Sequence, residues 1–306
     1  MLALRRVLFP TDYAPCADRA FAHASFLAGA HGAELHVLHL SPVTGATAGP
    51  PYEYHVPESV HRVDVTRPAV AVADQIVRYA RDVDLVVMGT HGRRGVQRVA
   101  VGSTTERVMR RADCPVFAVG LDAERAVPGV VRRILVPVDF SDSTGGALAV
   151  ADALAAVYDA RVDVLHAVHL PDLPAVYGVG LHFEATYPDV VARSEEALDV
   201  RLHESVGVGR RGEVVVRVGP PGPTILEAAD RLGAGLLVMP THGRTGLERV
   251  AFGSVAEGVL RRAPCPVVAL PSFGRLPLAA PVARPSHSAP LAVEQALGDA
   301  LANHDA

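Results

Sequence analysis

Two glycine-punctuated stretches carry the residue types and spacing best able to do chemistry. They are "GTHGRRGVQRVAVGST" at Gly89–Thr104 and "PTHGRTGLERVAFGSV" at Pro240–Val255. In the first, Gly92 follows Gly89 after two residues, and Gly102-Ser103 follows after nine more. Glycine lets a backbone turn tightly and lets an anion approach its N–H groups. A helix starting near Ser103, capped by Ser103 or Thr104, would aim its first unpaired amides at that anion. Such a terminus favours an exposed phosphate by about 0.3–1 kcal/mol. Arg93 and Arg94 add positive charge beside the loop. The chemistry indicated is phosphate binding, although a ligand-free turn from strand to helix would use the same glycines. The spacing matches neither a P-loop nor G-x-G-x-x-G. In the second stretch Pro240 replaces the first glycine. Proline holds φ near about −65° and has no N–H. If Gly89 uses a positive φ or donates to an anion, Pro240 can do neither; if Gly89 only makes room, proline is tolerated.

The elements that must position these loops also occur twice. "RRVLFPTDYAP" at Arg5–Pro15 matches "RRILVPVDFSD" at Arg132–Asp142, and "AELHVLHL" at Ala33–Leu40 matches "ARVDVLHA" at Ala160–Ala167. Asp12 and Asp139 lie 127 residues apart, whereas His91 and His242 lie 151 apart, so the second copy holds 24 extra residues. "VLFP" and "ILVP", "LVVMG" and "LLVMP", "PVFAVG" and "PVVALP" are short apolar runs, as parallel strands covered on both faces require. Ala17, Ala20, Phe21, Ala24, Leu27 and Ala28 form a helical stripe, repeated by Thr144, Ala147, Leu148, Ala151, Leu154 and Ala155. Repeated βα units predict a parallel sheet with right-handed crossovers. The extra residues predict a crossover helix at Thr186–Val206, while Pro42–Val60 is Pro- and Gly-rich and predicts a helix-free crossover. That absence leaves part of one sheet face for something else to cover. Ala123–Val130 reads as a linker. Ser272–Ala306 reads as a mostly disordered tail with a short helix near Leu291–Ala302.

Composition narrows the classes. With 306 residues the chain suits two domains plus extra, and 49% hydrophobic with 20% charged residues is ordinary globular usage. A formal net charge of −4 gives no reason to expect nucleic acid. All 29 basic residues are arginine, so neither a P-loop lysine nor a Schiff-base lysine exists. Cys16, Cys114 and Cys265 lack metal spacing and read as small buried hydrophobes in a reducing compartment. A strand-like "LRRVLFP" at the start leaves no room for a signal peptide, and no apolar run reaches membrane-spanning length. The expectation is a cytoplasmic protein without a membrane partner.

Taken together, the "VLFPTD" and "ILVPVD" strands, the "THG" phrases, the Gly-Ser helix starts and the "CPV" strand openings resemble the universal stress protein family of the UspA type, in a tandem form. The resemblance covers about residues 3–120 and 131–271. It implies an α/β fold of two tandem Rossmann-like, adenine nucleotide alpha hydrolase-like domains. Each is a five-stranded parallel sheet flanked by helices, at residues 1–122 and 131–271, with 272–306 as the tail. Members of the ATP-binding branch carry G-2x-G-9x-G-[S/T], which the first copy reproduces. The resemblance therefore implies ATP or a related adenine nucleotide as cofactor, with any Mg²⁺ carried by the nucleotide. In the first copy it places the ligand on Pro10, Asp12, Leu40, Met88, Gly89, His91, Gly92, Arg93, Gly102, Ser103 and Thr104. In the second it places it on Asp139, Ala167, Met239, Gly243, Arg244, Gly253 and Ser254. Asp12 would hold adenine or ribose and Leu40 would line the adenine slot. Capping of the first helix is the plain alternative for Asp12, and core packing for Leu40 and Met88.

The reading that follows is a nucleotide-binding stress-response regulatory module, with the first copy binding and the second binding more weakly or not at all because of Pro240. A slow ATPase and a scaffold with empty pockets are the alternatives. His91 and His242 in the loops, and His39 and His166 at the second strands, could assist hydrolysis but more often bond backbone. The resemblance pairs the last strands, Val116–Val119 and Val267–Leu270, as a pseudo-dimer within the chain; further self-association and a protein partner are left open. Arg110, Arg111, Arg261 and Arg262 read as complements to helix dipoles.

Overall fold

The computed structural model describes residues 3–41, 54–68, 70–90, 102–120, 127–169, 188–241, 253–271 and 274–278. The first copy runs β1 (Arg6–Thr11), α1 (Pro15–His31), β2 (Glu34–Ser41), β3 (Arg62–Pro68), α2 (Val72–Ala80), β4 (Leu85–Gly89), α3 (Ser103–Arg111) and β5 (Val116–Val119). The second runs β6 (Arg133–Pro137), α4 (Ser143–Tyr158), β7 (Arg161–Val168), α5 (Pro188–Ser205), β8 (Arg211–Val218), α6 (Pro221–Arg231), β9 (Leu236–Pro240), α7 (Ser254–Arg262) and β10 (Val267–Leu270). Pro128–Val130, inside the expected linker, forms a short 3-10 turn.

All ten strands make one sheet in the order β3-β2-β1-β4-β5-β10-β9-β6-β7-β8. Each half is parallel, as its apolar strand runs predict, and the halves join through antiparallel β5 and β10, with Phe117 opposite Val268. Two edges that would otherwise expose unpaired backbone thus satisfy each other. The predicted helical stripes face the sheet: Ala20, Ala24, Leu27 and Ala28 in α1, and Ala147, Leu148, Ala151 and Ala155 in α4, are all fully buried. One apolar layer lies between the sheet and α1, α4 and α5, and a second lies between the sheet and α2, α3, α6 and α7. Each layer continues across both copies. On the α1/α4 face, His23 Nδ1 lies 2.9 Å from the Tyr158 hydroxyl across the seam, and Phe26 stacks on the same ring at 5.0 Å.

The extra residues of the second copy do include a crossover helix, α5, which buries Val190, Leu198 and Leu202. In the first copy, residues 54–61 contain no helix. Tyr54 packs onto this face. Its ring stacks on Phe21 at 4.3 Å, meets Phe9 edge-on at 5.2 Å, and lies 5.4 Å from Tyr13; its hydroxyl is 3.2 Å from Thr11 Oγ1. The second copy carries the smaller Val136 and Leu148 where the first has Phe9 and Phe21. Aromatic bulk therefore packs on this face of the first copy where the second has aliphatic side chains.

Residues 274–278 of the expected tail pack onto the body. Arg275 N–H donates to the Asp113 carbonyl (2.7 Å), and its guanidinium donates to the carbonyls of Arg81 (2.6 Å) and Val83 (3.2 Å). Ala3 N–H donates to the Pro277 carbonyl (2.7 Å), and Leu276 and Leu278 rest on the apolar layer.

Candidate functional site

At the carboxyl end of each half-sheet the chain passes from β1 to α1, or from β6 to α4, in a few residues. Such a turn needs a left-handed residue, and the structure uses aromatics there: Tyr13 and Phe140 both have φ of 58°. Non-glycine residues are strained in that region and persist where surroundings hold them. Here both side chains are buried. The aspartate before each completes the turn, as Asx turns do. Asp12 Oδ1 accepts the Ala14 N–H at 3.1 Å. Asp139 Oδ1 accepts both the N–H (3.0 Å) and the hydroxyl (2.6 Å) of Ser141, whose Oγ lies 2.7 Å from Ser143 Oγ. Asp12 is exposed and Asp139 half-buried. The N-cap of α1 is Ala14 and that of α4 is Asp142, so each carboxylate shapes the turn before its helix rather than occupying the cap.

His39 and His166 flank these turns. His39 donates from Nδ1 to the Thr11 carbonyl (3.2 Å), and His166 from Nδ1 to the Val138 carbonyl (2.8 Å). A carbonyl can only accept, so the proton is on Nδ1 in both. The rings pack on Tyr13 (5.0 Å) and Phe140 (4.7 Å). Both histidines thus bond backbone. Pro10 is buried within β1. Met88, also buried, and the half-buried Leu40 belong to the same apolar layer, which floors the site; Met239 and the half-buried Ala167 hold the equivalent positions.

The described residues on either side of each glycine stretch close a neck. Thr90 N–H donates to the Val119 carbonyl (2.9 Å), and the Thr90 carbonyl accepts the Gly102 N–H (2.6 Å). Thr241 repeats this with Leu270 (2.9 Å) and Gly253 (2.8 Å). Gly102 and Gly253 are therefore the N-caps of α3 and α7, without side-chain capping, and their amides serve the neck. This corrects the expectation that Ser103 or Thr104 caps the helix; Ser103 is its first residue. First-turn amides have no partner within a helix. Among the described residues no hydrogen bond engages those of Ser103, Thr104 and Thr105, or of Ser254, Val255 and Ala256. Those groups, not the Gly102 amide, are the donors an anion would meet. Thr90 and Thr241 were not singled out by spacing; their recurrence in both repeats was the available signal.

Gly89 does not have a positive φ. A Cβ there would stand 2.8 Å from Cys16 Sγ and 3.4 Å from the Cys16 backbone, so the glycine makes room where β4 meets the start of α1. The second copy places Ser143 at the position of Cys16 and accepts Pro240. Its neck is unchanged by the proline. His91, Gly92, Arg93, Gly243 and Arg244, with Arg94 and His242, lie outside the described residues.

Helices α3 and α7 are linked across the seam. Arg110 donates to Glu106 on its own helix (2.8 Å) and to Glu257 on α7 (3.3 Å). Arg261 donates to Glu257 (2.6 Å) and stands 3.8 Å from Glu106. Both glutamates are in first turns and both arginines in last turns, so each site's helix start is paired with the other copy's helix end. All four arginines lie in last turns, as the dipole reading expects, and Arg110 and Arg261 in addition pair with the other copy's glutamate. Arg111 instead pairs with Asp74, while Arg262 donates to the Gly258 carbonyl (3.2 Å). All three cysteines are buried, and burial pushes the Cys114 thiol up to about 12.

Fold and site together define a tandem α/β protein whose two halves share one ten-stranded sheet. The chain belongs to the universal stress protein family, whose model matches residues 3–68, 55–120 and 131–271. It is 35% identical over 143 residues to universal stress protein MJ0531 of Methanocaldococcus jannaschii, covering 45% of this chain and 80% of that one. It is 32% identical over 203 residues to universal stress protein Rv2005c of Mycobacterium tuberculosis, covering 63% of each. The crystal structure of protein PA1789 from Pseudomonas aeruginosa shares the fold, with a TM-score of 0.61, 20% identity, and coverage of 88% of this chain and 92% of that one. Among the described residues no helix is long and apolar enough to cross a membrane.

Proposed function

We propose that the chain binds ATP or a related adenine nucleotide at the carboxyl ends of β1 and β4, and acts as a stress-response regulatory module whose surface changes with occupancy. One observation carries this reading: the necked loop delivers the chain directly into α3, whose first three amides are unused among the described residues. Helix starts of this kind favour phosphate. Asp12 at the turn and the apolar floor of Met88 and Leu40 suit the ribose and base of the same ligand. Any Mg²⁺ arrives with the nucleotide.

The first copy is the preferred site. Pro240 does not support that preference, since the second neck keeps the same hydrogen bonds. Support comes from the complete glycine spacing of Gly89, Gly92 and Gly102, and from an Asp12 that is exposed, whereas Asp139 is half-buried. The test is mass spectrometry of nucleotide released from freshly purified protein, followed by ATP titration of Gly102→Val and Gly253→Val with melting controls. A Cβ at Gly102 would stand 2.8 Å from the Thr90 carbonyl oxygen and open the neck, so binding should be lost in that variant and kept in the other. Loss only in Gly253→Val would overturn the assignment.

A further inference from the structure

The two helix starts that would receive phosphate each carry a glutamate in the first turn, Glu106 in α3 and Glu257 in α7. A carboxylate one turn from the amides opposes an incoming polyphosphate. The opposition is weakened where a cation holds that carboxylate, and more so where the pair is shielded from solvent. Both glutamates are held from two sides. Glu106 takes Arg110 from its own helix (2.8 Å) and Arg261 from the other copy (3.8 Å); Glu257 takes Arg261 (2.6 Å) and Arg110 (3.3 Å). The four side chains are only 26–42% exposed, so salt screens them less than a surface pair.

Resting on the nucleotide reading above, we infer that Arg261 is a binding residue in trans: it neutralises Glu106 across the seam and so sets the first copy's affinity for the phosphates of its ligand, as Arg110 does for the second copy through Glu257. The geometry requires both copies, because the β5–β10 pairing brings the last turn of each helix beside the first turn of the other. A dipole complement on its own helix would not reach the other copy's first turn. Discrimination then depends on charge: ATP senses the arginine more than ADP, and adenosine does not sense it.

The experiment is calorimetric titration of the full chain at low salt with ATP, ADP and adenosine. The proteins are the parent, Arg261→Gln, and Arg261→Gln combined with Glu106→Gln or with Glu257→Gln, each with a thermal melt. Loss of one of the two cations that hold Glu106 predicts that Arg261→Gln weakens ATP about five- to tenfold, ADP less and adenosine not at all. Adding Glu106→Gln should restore ATP binding, and the differences should shrink in high salt. An equal loss for adenosine, no loss for ATP, or rescue by Glu257→Gln instead of Glu106→Gln overturns the inference. Parent protein that binds ATP without regard to Arg261 removes this inference alone. Parent protein that binds none of the three removes the nucleotide reading with it.

Discussion

Gly89→Pro makes the first copy imitate the second at the root of its loop, and the structure states what the imitation lacks. A Cβ at residue 89 would stand 2.8 Å from Cys16 Sγ, whereas carbon packs comfortably at about 3.5–4.0 Å, and sulfur is no smaller. The overlap of roughly 0.7 Å falls on a buried side chain in the first turn of α1, with little space to yield. Overpacking of this kind costs about 1–3 kcal/mol. Proline returns about 0.4–1 kcal/mol by stiffening the unfolded chain. The net loss is about 1–2 kcal/mol, or roughly 2–3 °C in melting temperature for a chain of this size. Cys16→Ser installs the residue type the second copy uses, with a shorter bond and a smaller atom. In that background Gly89→Pro should cost at least about 0.5–1 kcal/mol less, a coupling expected of touching residues. Urea unfolding followed by far-UV circular dichroism of the four proteins measures it. If Gly89→Pro costs the same in the parent and in the Cys16→Ser background, the steric account of the glycine is wrong.

Tyr54→Ala should destabilise the first copy by about 3 kcal/mol, as loss of a buried aromatic does, and Tyr54→Phe by about 1 kcal/mol for the hydroxyl contact with Thr11; the same urea curves read both. Burial holds His31 below its ordinary value of 6.5, so the folded state takes up its proton less readily than the unfolded chain. Its contribution to stability is therefore complete above about pH 6.5 and falls as the solution is acidified towards the folded value. His31→Gln should flatten the urea midpoint between pH 7 and pH 5, and an unchanged pH dependence would exclude this residue as a source.

Much of the architecture was legible because the signals are local and occur twice. The stripes of α1 and α4 repeat in register, and the crossover helix expected at Thr186–Val206 appears as Pro188–Ser205. The same comparison set the Pro- and Gly-rich Pro42–Val60 against that helix. It could not say that Tyr54 would pack on Phe9, because a ring 45 residues away has no periodic relation to it. Site residues divide the same way. Asp12 and Asp139 lie at the turns their repeats suggested, but that Gly102 spends its amide on Thr90 follows from where the two ends of a loop meet. The arginines show the limit most clearly. Along the chain Arg110 and Arg261 sit at helix ends and look like dipole partners, and only the antiparallel register of β5 with β10 carries each to the other copy's glutamate.

By itself the sequence determined the repeated βα unit, the parallel halves and the loops that punctuate them, since hydrophobic period and turn chemistry act over a few residues. Only the tertiary structure decided which of the surrounding elements meet. Contacts between Gly89 and Cys16, Tyr54 and Phe21, and Arg110 and Glu257 join residues far apart in the chain, and depend on how whole elements are set against one another.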